Sequence, residues 1–155
     1  MAADTITIGW GKPTIKVKKL TDLESEYSEL PTPVENSTSL ETTQGEKMEA
    51  KIEGGDNEAV KYKANTYELT FQIRDAPEKA EKLKVISDKD GVVSDEFAVQ
   101  VIPENDKAIG VQIDRSSVNV QTSYSSENGV VKTYTFSALK PSDGSETVKF
   151  KTITE

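Results

Sequence analysis

Residues 65–74, NTYELTFQIR, decide the fold class. Tyr67, Leu69, Phe71 and Ile73 alternate with Glu68, Thr70, Gln72 and Arg74. A period of two puts all the apolar groups on one face of a strand, whereas a helix would need spacings of three and four. This segment is therefore expected to be a core strand with one wet face.

The same alternation recurs on both sides of it. Phe97, Val99 and Val101 alternate and stop at Pro103. Val111 and Ile113 follow, then Val118, Val120, Thr122 and Tyr124. Asn128-Gly129 marks a hairpin, and Val130, Lys132, Tyr134 and Phe136 share one phase on the return. Val148, Phe150 and Ile153 suggest a last strand. Toward the N-terminus, Ile15 and Val17 alternate with Lys16 and Lys18, and Ile6 and Ile8 with Thr5 and Thr7, the two runs being separated by GWGKP. Both read as short half-buried strands. Residues 21–33 look irregular, because Pro31 and Pro33 disfavour regular structure and Leu23, Tyr27 and Leu30 are isolated apolar anchors.

One window reads as a helix, APEKAEKLK, placed at about residues 76–86. Asp75 suits the cap, Pro77 the first turn, and Ala80 and Leu83 lie three apart on one face. Asp90-Gly91 is a turn signal. The sum is eight to ten short strands and one short helix, with turns about every ten residues. That pattern predicts an all-β protein, a β-sandwich or rolled β-barrel with one short flanking α-helix and a protruding polar hairpin. No fixed-period repeat and no linker divides the 155 residues, so one domain, 1–155, is expected.

Composition narrows the chemistry. The chain has 27 acidic and 19 basic residues, a net charge of −8 and no Cys or His. The acidic balance argues against a protein that grips nucleic-acid phosphates. Without Cys or His there is no disulfide, no thiolate metal site and no imidazole base. Gly9-Trp10-Gly11 and Gly54-Gly55 fit no phosphate-binding motif and read as turns. Asp88, Asp90 and Asp95 in SDKDGVVSDEF depart from the calcium-loop pattern, and the sequence there reads as a solvated turn. The Ser-rich runs lack a His to activate a nucleophile. An enzyme is not expected, nor is a cofactor or a bound metal. The opening MAADTITIGW lacks a leader pattern, and no apolar run approaches the ~18 residues of a membrane span, so a soluble chain made in the cytoplasm is expected.

What remains is a long polar ribbon, TPVENSTSLETTQGEKMEAKIEGG, at about residues 32–55. Ser39, Leu40, Glu41, Thr42 and Thr43 are β-prone. Gln44, Gly45 and Glu46 look like a turn. Met48, Ala50 and Ile52 alternate with Lys47, Glu49 and Lys51. The segment reads as a β-hairpin with one mildly apolar face, an arm that invites pairing with another chain. The alternative is an exposed loop without a partner. Trp10, between two glycines, is a candidate interface anchor.

Taken together, GWGKPTIKVKKL, the ribbon, NTYELTFQIR and SSVNVQTSYSSENGVVKTYTFSALKPSDG, in that order, resemble the tail tube proteins of tailed phages and prophages, a family related to type VI secretion and contractile injection tubes. The resemblance implies a β-sandwich or rolled barrel with one flanking helix. It implies hexameric rings stacked into a hollow tube, inner sheets joined around an acidic lumen, and an extended loop or hairpin reaching a neighbour. It also implies a virion-tail location after synthesis in a bacterial host. Partners would be further copies of the chain and other tail proteins, with DNA as non-adhering cargo, no membrane and no small-molecule substrate. The competing expectation is an immunoglobulin-like β-sandwich for adhesion or ligand binding, with a carbohydrate site built on Trp10 and the tyrosines as a third.

Overall fold

The computed structural model describes residues 6–20, 26–105, 107–141 and 143–153. The strands are β1 (Thr14–Lys19), β2 (Ser28–Glu29), β3 (Ser39–Thr43), β4 (Lys47–Lys51), β5 (Asn57–Tyr62), β6 (Thr66–Arg74), β7 (Val92–Ile102), β8 (Gly110–Ser125), β9 (Gly129–Ala138) and β10 (Val148–Lys151). Eight of them form one antiparallel sheet in the order β2-β1-β7-β8-β9-β6-β3, with β10 also on β8. The sheet folds over on itself, sandwich- or barrel-like, but does not close. Strands β4 and β5 form a separate two-stranded sheet.

The residues that alternate in 65–74 build the centre. Leu69, Phe71 and Ile73 are buried, and Leu69 and Phe71 face Phe136 and Tyr134 across the β6–β9 pair. Phe71 lies between Tyr134 and Phe136, with ring centroids 5.4 and 5.5 Å away and planes tilted by 24° and 22°. Burial first, and the carboxylates of Asp75 and Asp88 after it, push the Tyr134 phenol far above its ordinary range. Val118 and Val120 of β8 continue the same rows, and Ile15, Val17, Phe97 and Val99 close the core from β1 and β7.

The fold-over is written into β7 and β8. The inward phase of β8 changes between Ile113 and Ser116, and Phe97, Ala98 and Val99 of β7 are all buried. Their register skips there, Phe97 facing Ser116 and Val99 facing Ile113. An irregular residue in a ladder bends and twists the strand, which is how sheets turn corners. The Ser116 hydroxyl, wholly buried at this bend, donates to the Phe97 carbonyl at 2.7 Å. Two alternating runs, Val111–Ile113 and Val118–Tyr124 by residue type, are thus one 16-residue strand bent in the middle.

The other turns follow their local chemistry. Asp90 and Gly91 both take positive φ, 52° and 86°, between Lys89 and Val92, a two-residue turn of the primed type. The Asp88 carboxylate accepts from the Gly91 N–H at 3.0 Å, which settles this segment as a turn. The β8–β9 turn is one residue longer than Asn-Gly alone requires: Ser125 faces Gly129, and the Ser125 hydroxyl accepts from the Asn128 N–H.

Three expectations are corrected. Ile6 and Ile8 belong to no strand: residues 6–10 leave the sheet, because Gly9, Gly11 and Pro13 break the path before β1 (Thr5 lies outside the described residues). Residues 26–30 contain the short β2, and Leu30 is buried; Leu23 lies outside the described residues. The helix is shorter than 76–86. A 3-10 turn, Pro77–Lys79, runs into α1, Ala80–Leu83, with Leu83 buried. Asp75 does not cap it; Ala76 holds the cap position without a side-chain bond, and Asp75 faces Lys132 at 3.8 Å.

Strand β10 is tied to β8 by an ion pair, Lys149 Nζ to Asp114 Oδ2 at 2.5 Å, with Gln112 Nε2 donating to Asp114 Oδ1 at 2.7 Å. Burial alone raises the Asp114 pKa, but the Lys149 and Gln112 hydrogen bonds outweigh it and hold the carboxyl below its ordinary value. A depressed folded-state pKa contributes stability above the unfolded value, near 3.9, and loses it as pH falls through the folded value. Asp114→Asn is therefore expected to cost about 0.5–1 kcal/mol at pH 7. Urea titrations from pH 7 down to pH 2 should show this difference from the parent vanishing below about pH 4.

Candidate interaction surface

The polar ribbon is built differently from its expected hairpin. Ser39–Thr43 do not fold back on Lys47–Lys51. Strand β3 pairs with β6, from Ser39 facing Thr70 to Thr43 facing Thr66, and β4 pairs with β5, Lys47 facing Tyr62. The register is continuous across the gap: four residues on from Thr43 is Lys47, and four back from Thr66 is Tyr62. Residues 39–74 are thus one long hairpin, its root in the main sheet and its arm free, jointed at residues 44–46 and 63–65. Its turn lies at residues 52–56, where Gly54 and Gly55 take φ of 94° and 92° and the Ile52 N–H donates to the Asp56 carbonyl at 3.0 Å.

The reason is the competition for Leu40. It packs against the core cluster opposite Leu69, a contact that a β3–β4 hairpin would give up. Gln44-Gly45-Glu46 is consequently a joint and not a turn. The Gly45 N–H donates to Asn65 Oδ1 at 3.0 Å, the Lys63 N–H to the Glu46 carbonyl at 2.9 Å, and Lys63 Nζ meets Glu46 Oε2 at 3.0 Å. A Cβ on Gly45 would lie 1.8 Å from the Lys63 carbonyl oxygen. Gly45→Ala should therefore spring the joint while sparing the core. In hydrogen exchange the Lys63 amide is expected to lose its protection, with amides around Phe71 unchanged and a Tm shift under about 4 °C.

Every strand residue of the arm is exposed. Met48 and Ala50 share a face with Ala59 and Lys61; Val60 and Tyr62 lie on the other with Lys47 and Glu49. Met48, Ile52, Val60 and Tyr62 are 42 to 51% exposed. Glu49 lies between Lys47 at 2.8 Å and Lys51 at 3.7 Å, and the Lys47 hydrogen bond in particular lowers its pKa. Charges of both signs line the arm: Glu46 and Glu49 stand on the stem among Lys47, Lys61 and Lys63, and Lys51 stands near the tip with Glu53, Asp56 and Glu58. The sequence signal for β5 was present in Val60 and Tyr62, but only two large apolar positions in NEAVKY carry it.

Of the residues singled out from the sequence, Ser39, Leu40, Glu41, Thr42 and Thr43 form the sheet edge. Gln44, Gly45 and Glu46 form the joint, and Lys47, Met48, Glu49 and Lys51 the arm. Trp10 is not part of the ribbon. It stands on residues 6–13 and is 76% exposed. Beside it a cleft of about 590 Å³ is lined by Gly9, Lys12, Pro33, Val34, Glu35 and Pro103, among others. Among the described residues no group of three or more carboxylates is placed to hold a metal ion, and no helix is long and apolar enough to cross a membrane.

In comparisons with known proteins, no family model matches the chain and no curated protein matches it.

Proposed function

We propose that this chain is a non-enzymatic structural subunit that assembles with copies of itself into stacked rings, the tube of a phage or prophage tail. The observation that carries this reading is the arm. An isolated two-stranded ribbon is marginal in water, and this one leaves four large apolar side chains exposed. A neighbouring subunit covering them would stabilise it. Among the described residues the sheet itself keeps open edges at β2, β3 and β10, available for pairing.

The solvent face of the main sheet supports the same reading. Three of its cross-strand rows, Thr70–Thr135–Asn119, Gln72–Thr133–Gln121 and Glu41–Glu68–Ser137–Ser117–Glu96, contain no lysine or arginine and would not hold a polyanion by ion pairs. Cations stand beside them, Arg74 in the row with Val131 and Ser123, Lys16 and Lys149 in the row with Gln100 and Gln112, and Arg115 paired with Glu96 at 3.1 Å. In this reading DNA is cargo, the partners are further copies and other tail proteins, and the location is the virion tail.

Negative-stain electron microscopy across a concentration series tests it. Rings or hollow tubes are expected; single particles at all concentrations, with and without a tail initiator complex, would reject it. A second reading, a ligand-binding β-sandwich module, is favoured by exposed Trp10 beside the 590 Å³ cleft. It requires saturable change in Trp10 fluorescence against a glycan panel, and a flat titration removes it.

A further inference from the structure

The β8–β9 turn holds the one Asn-Gly step in the chain, Asn128-Gly129. Glycine has no Cβ, so its backbone nitrogen can be approached closely by the asparagine side chain that precedes it. The other asparagines, Asn36, Asn57, Asn65, Asn105 and Asn119, are followed by Ser, Glu, Thr, Asp and Val, each with a Cβ in the way. The turn also presents the step to water. Every residue from 121 to 128 is exposed. Gly129 takes φ of 70°, and a Cβ built on it would have nothing within 4 Å. Ser125 faces Gly129 in the last pair of the β8–β9 ladder. Such an end pair opens more readily than pairs inside a sheet, which releases the Gly129 amide without disturbing the core.

The Asn128 side chain is held in place. Arg74, the last residue of β6, donates a guanidinium N–H to Asn128 Oδ1 at 3.5 Å. The Asn128 N–H donates to the Ser125 hydroxyl at 3.1 Å. The Arg74 contact is long, but the charge on its donor strengthens it. It keeps the amide oxygen beside a cation.

We propose that Asn128-Gly129 is a self-modification site, where the chain converts Asn128 to aspartyl and isoaspartyl forms with water as the co-reactant and Arg74 holding the amide. The Gly129 nitrogen gives its proton to solvent base and attacks Asn128 Cγ. As that bond forms, the electron pair of the carbonyl moves onto Oδ1, where the Arg74 cation stands ready for the negative charge. The pair returns, the Cγ–Nδ2 bond breaks, and the amine takes a proton from water and leaves as ammonia. The product is a cyclic imide. Water then opens the ring. Attack at Cγ gives an ordinary aspartate, and attack at the main-chain carbonyl gives an isoaspartyl linkage, whose backbone runs through Cβ and Cγ. The sum is amide and water to carboxylate and ammonium, with nothing oxidised or reduced. The new carboxylate pairs with Arg74 by charge-assisted hydrogen bonding. It adds one negative charge to a chain that carries −8.

The test uses the whole protein, kept folded at mildly alkaline pH and sampled over time by tryptic digestion. The peptide from Ser116 to Lys132 should gain about 1 Da and split into two chromatographic forms, only one of them cleaved by an aspartate-specific protease. Its fragments should place the gain on Asn128 and not on Asn119, and peptides with the other asparagines should keep their mass. The rate should rise with pH, since the nucleophile is the deprotonated nitrogen. Arg74 is exposed, so its replacement spares the fold. Arg74→Gln should slow conversion in the folded protein by at least about threefold, and Arg74→Lys should restore part of the rate. In urea the parent and both variants should react alike, which separates the contact from any effect of sequence. No gain at Asn128 in the folded protein, over a period that converts the chain in urea, would overturn the proposal. Arg74→Gln reacting as fast as the folded parent would overturn the role given to Arg74. Neither result touches the self-assembly reading, on which this inference does not rest.

Discussion

Replacing residues 47–62 with a short Gly-Ser turn yields a folded monomer that no longer assembles. The arm contributes nothing buried, since β4 and β5 are exposed at every position. Changes at exposed positions away from caps and cores typically move stability by less than about 0.5 kcal/mol, so the monomer Tm should stay within about 4 °C of the parent. Assembly is another matter. Burying Met48, Ile52, Val60 and Tyr62, which needs neighbours on both faces of the arm, would contribute about 1 kcal/mol or more for each. Losing all four weakens association by at least about 4 kcal/mol, or roughly a thousandfold. Analytical ultracentrifugation with circular dichroism reads both quantities on one sample. The cut is made at the joint, because removing residues 39–43 as well would strip β3 and Leu40 from the core and confuse the two effects. Normal assembly of the armless chain would exclude the ribbon as the assembly element.

Phe71→Ala has the reverse signature. Its ring is fully buried between Tyr134 and Phe136, in the middle of the β6–β9 pair. Truncating a core Phe removes its transfer free energy and leaves a cavity, a loss of about 3–5 kcal/mol. Against a total stability of about 5–15 kcal/mol this brings the domain close to unfolding at ambient temperature. Urea melts should show the midpoint falling with the slope unchanged. Tyr62→Ala, an aromatic truncation on the arm, should leave that midpoint where it was, which separates the core from the interaction surface within one experiment.

The difference between these two aromatics shows which parts of the molecule local pattern can reveal. Around Phe71 the alternation, the β-prone residue types and the burial all agree, so β6, β8 and β9 were legible from residue spacing. The turns at Asp90-Gly91 and Asn128-Gly129 were legible because positive φ has few sequence solutions. At the ribbon the same reasoning found a hairpin of the right polarity but paired β3 with the wrong strand. Gln44-Gly45-Glu46 has turn-like residues, and nothing local says that Gly45 is needed for room against the Lys63 carbonyl. Nor does the sequence around Ile6 and Ile8 say that these residues join no strand.

By itself, then, the sequence determined the class of the protein: strands from a period of two, a single short helix, an acidic surface, and no Cys or His for chemistry. Tertiary structure alone decided which strands pair, where the sheet bends at Ser116 and Phe97, and which apolar residues stay in water. The physical reason is range. Alternation and turn propensity act over a few residues, whereas pairing is settled by contacts such as Leu40 with Leu69, far apart in the chain, whose worth exists only once the core is assembled.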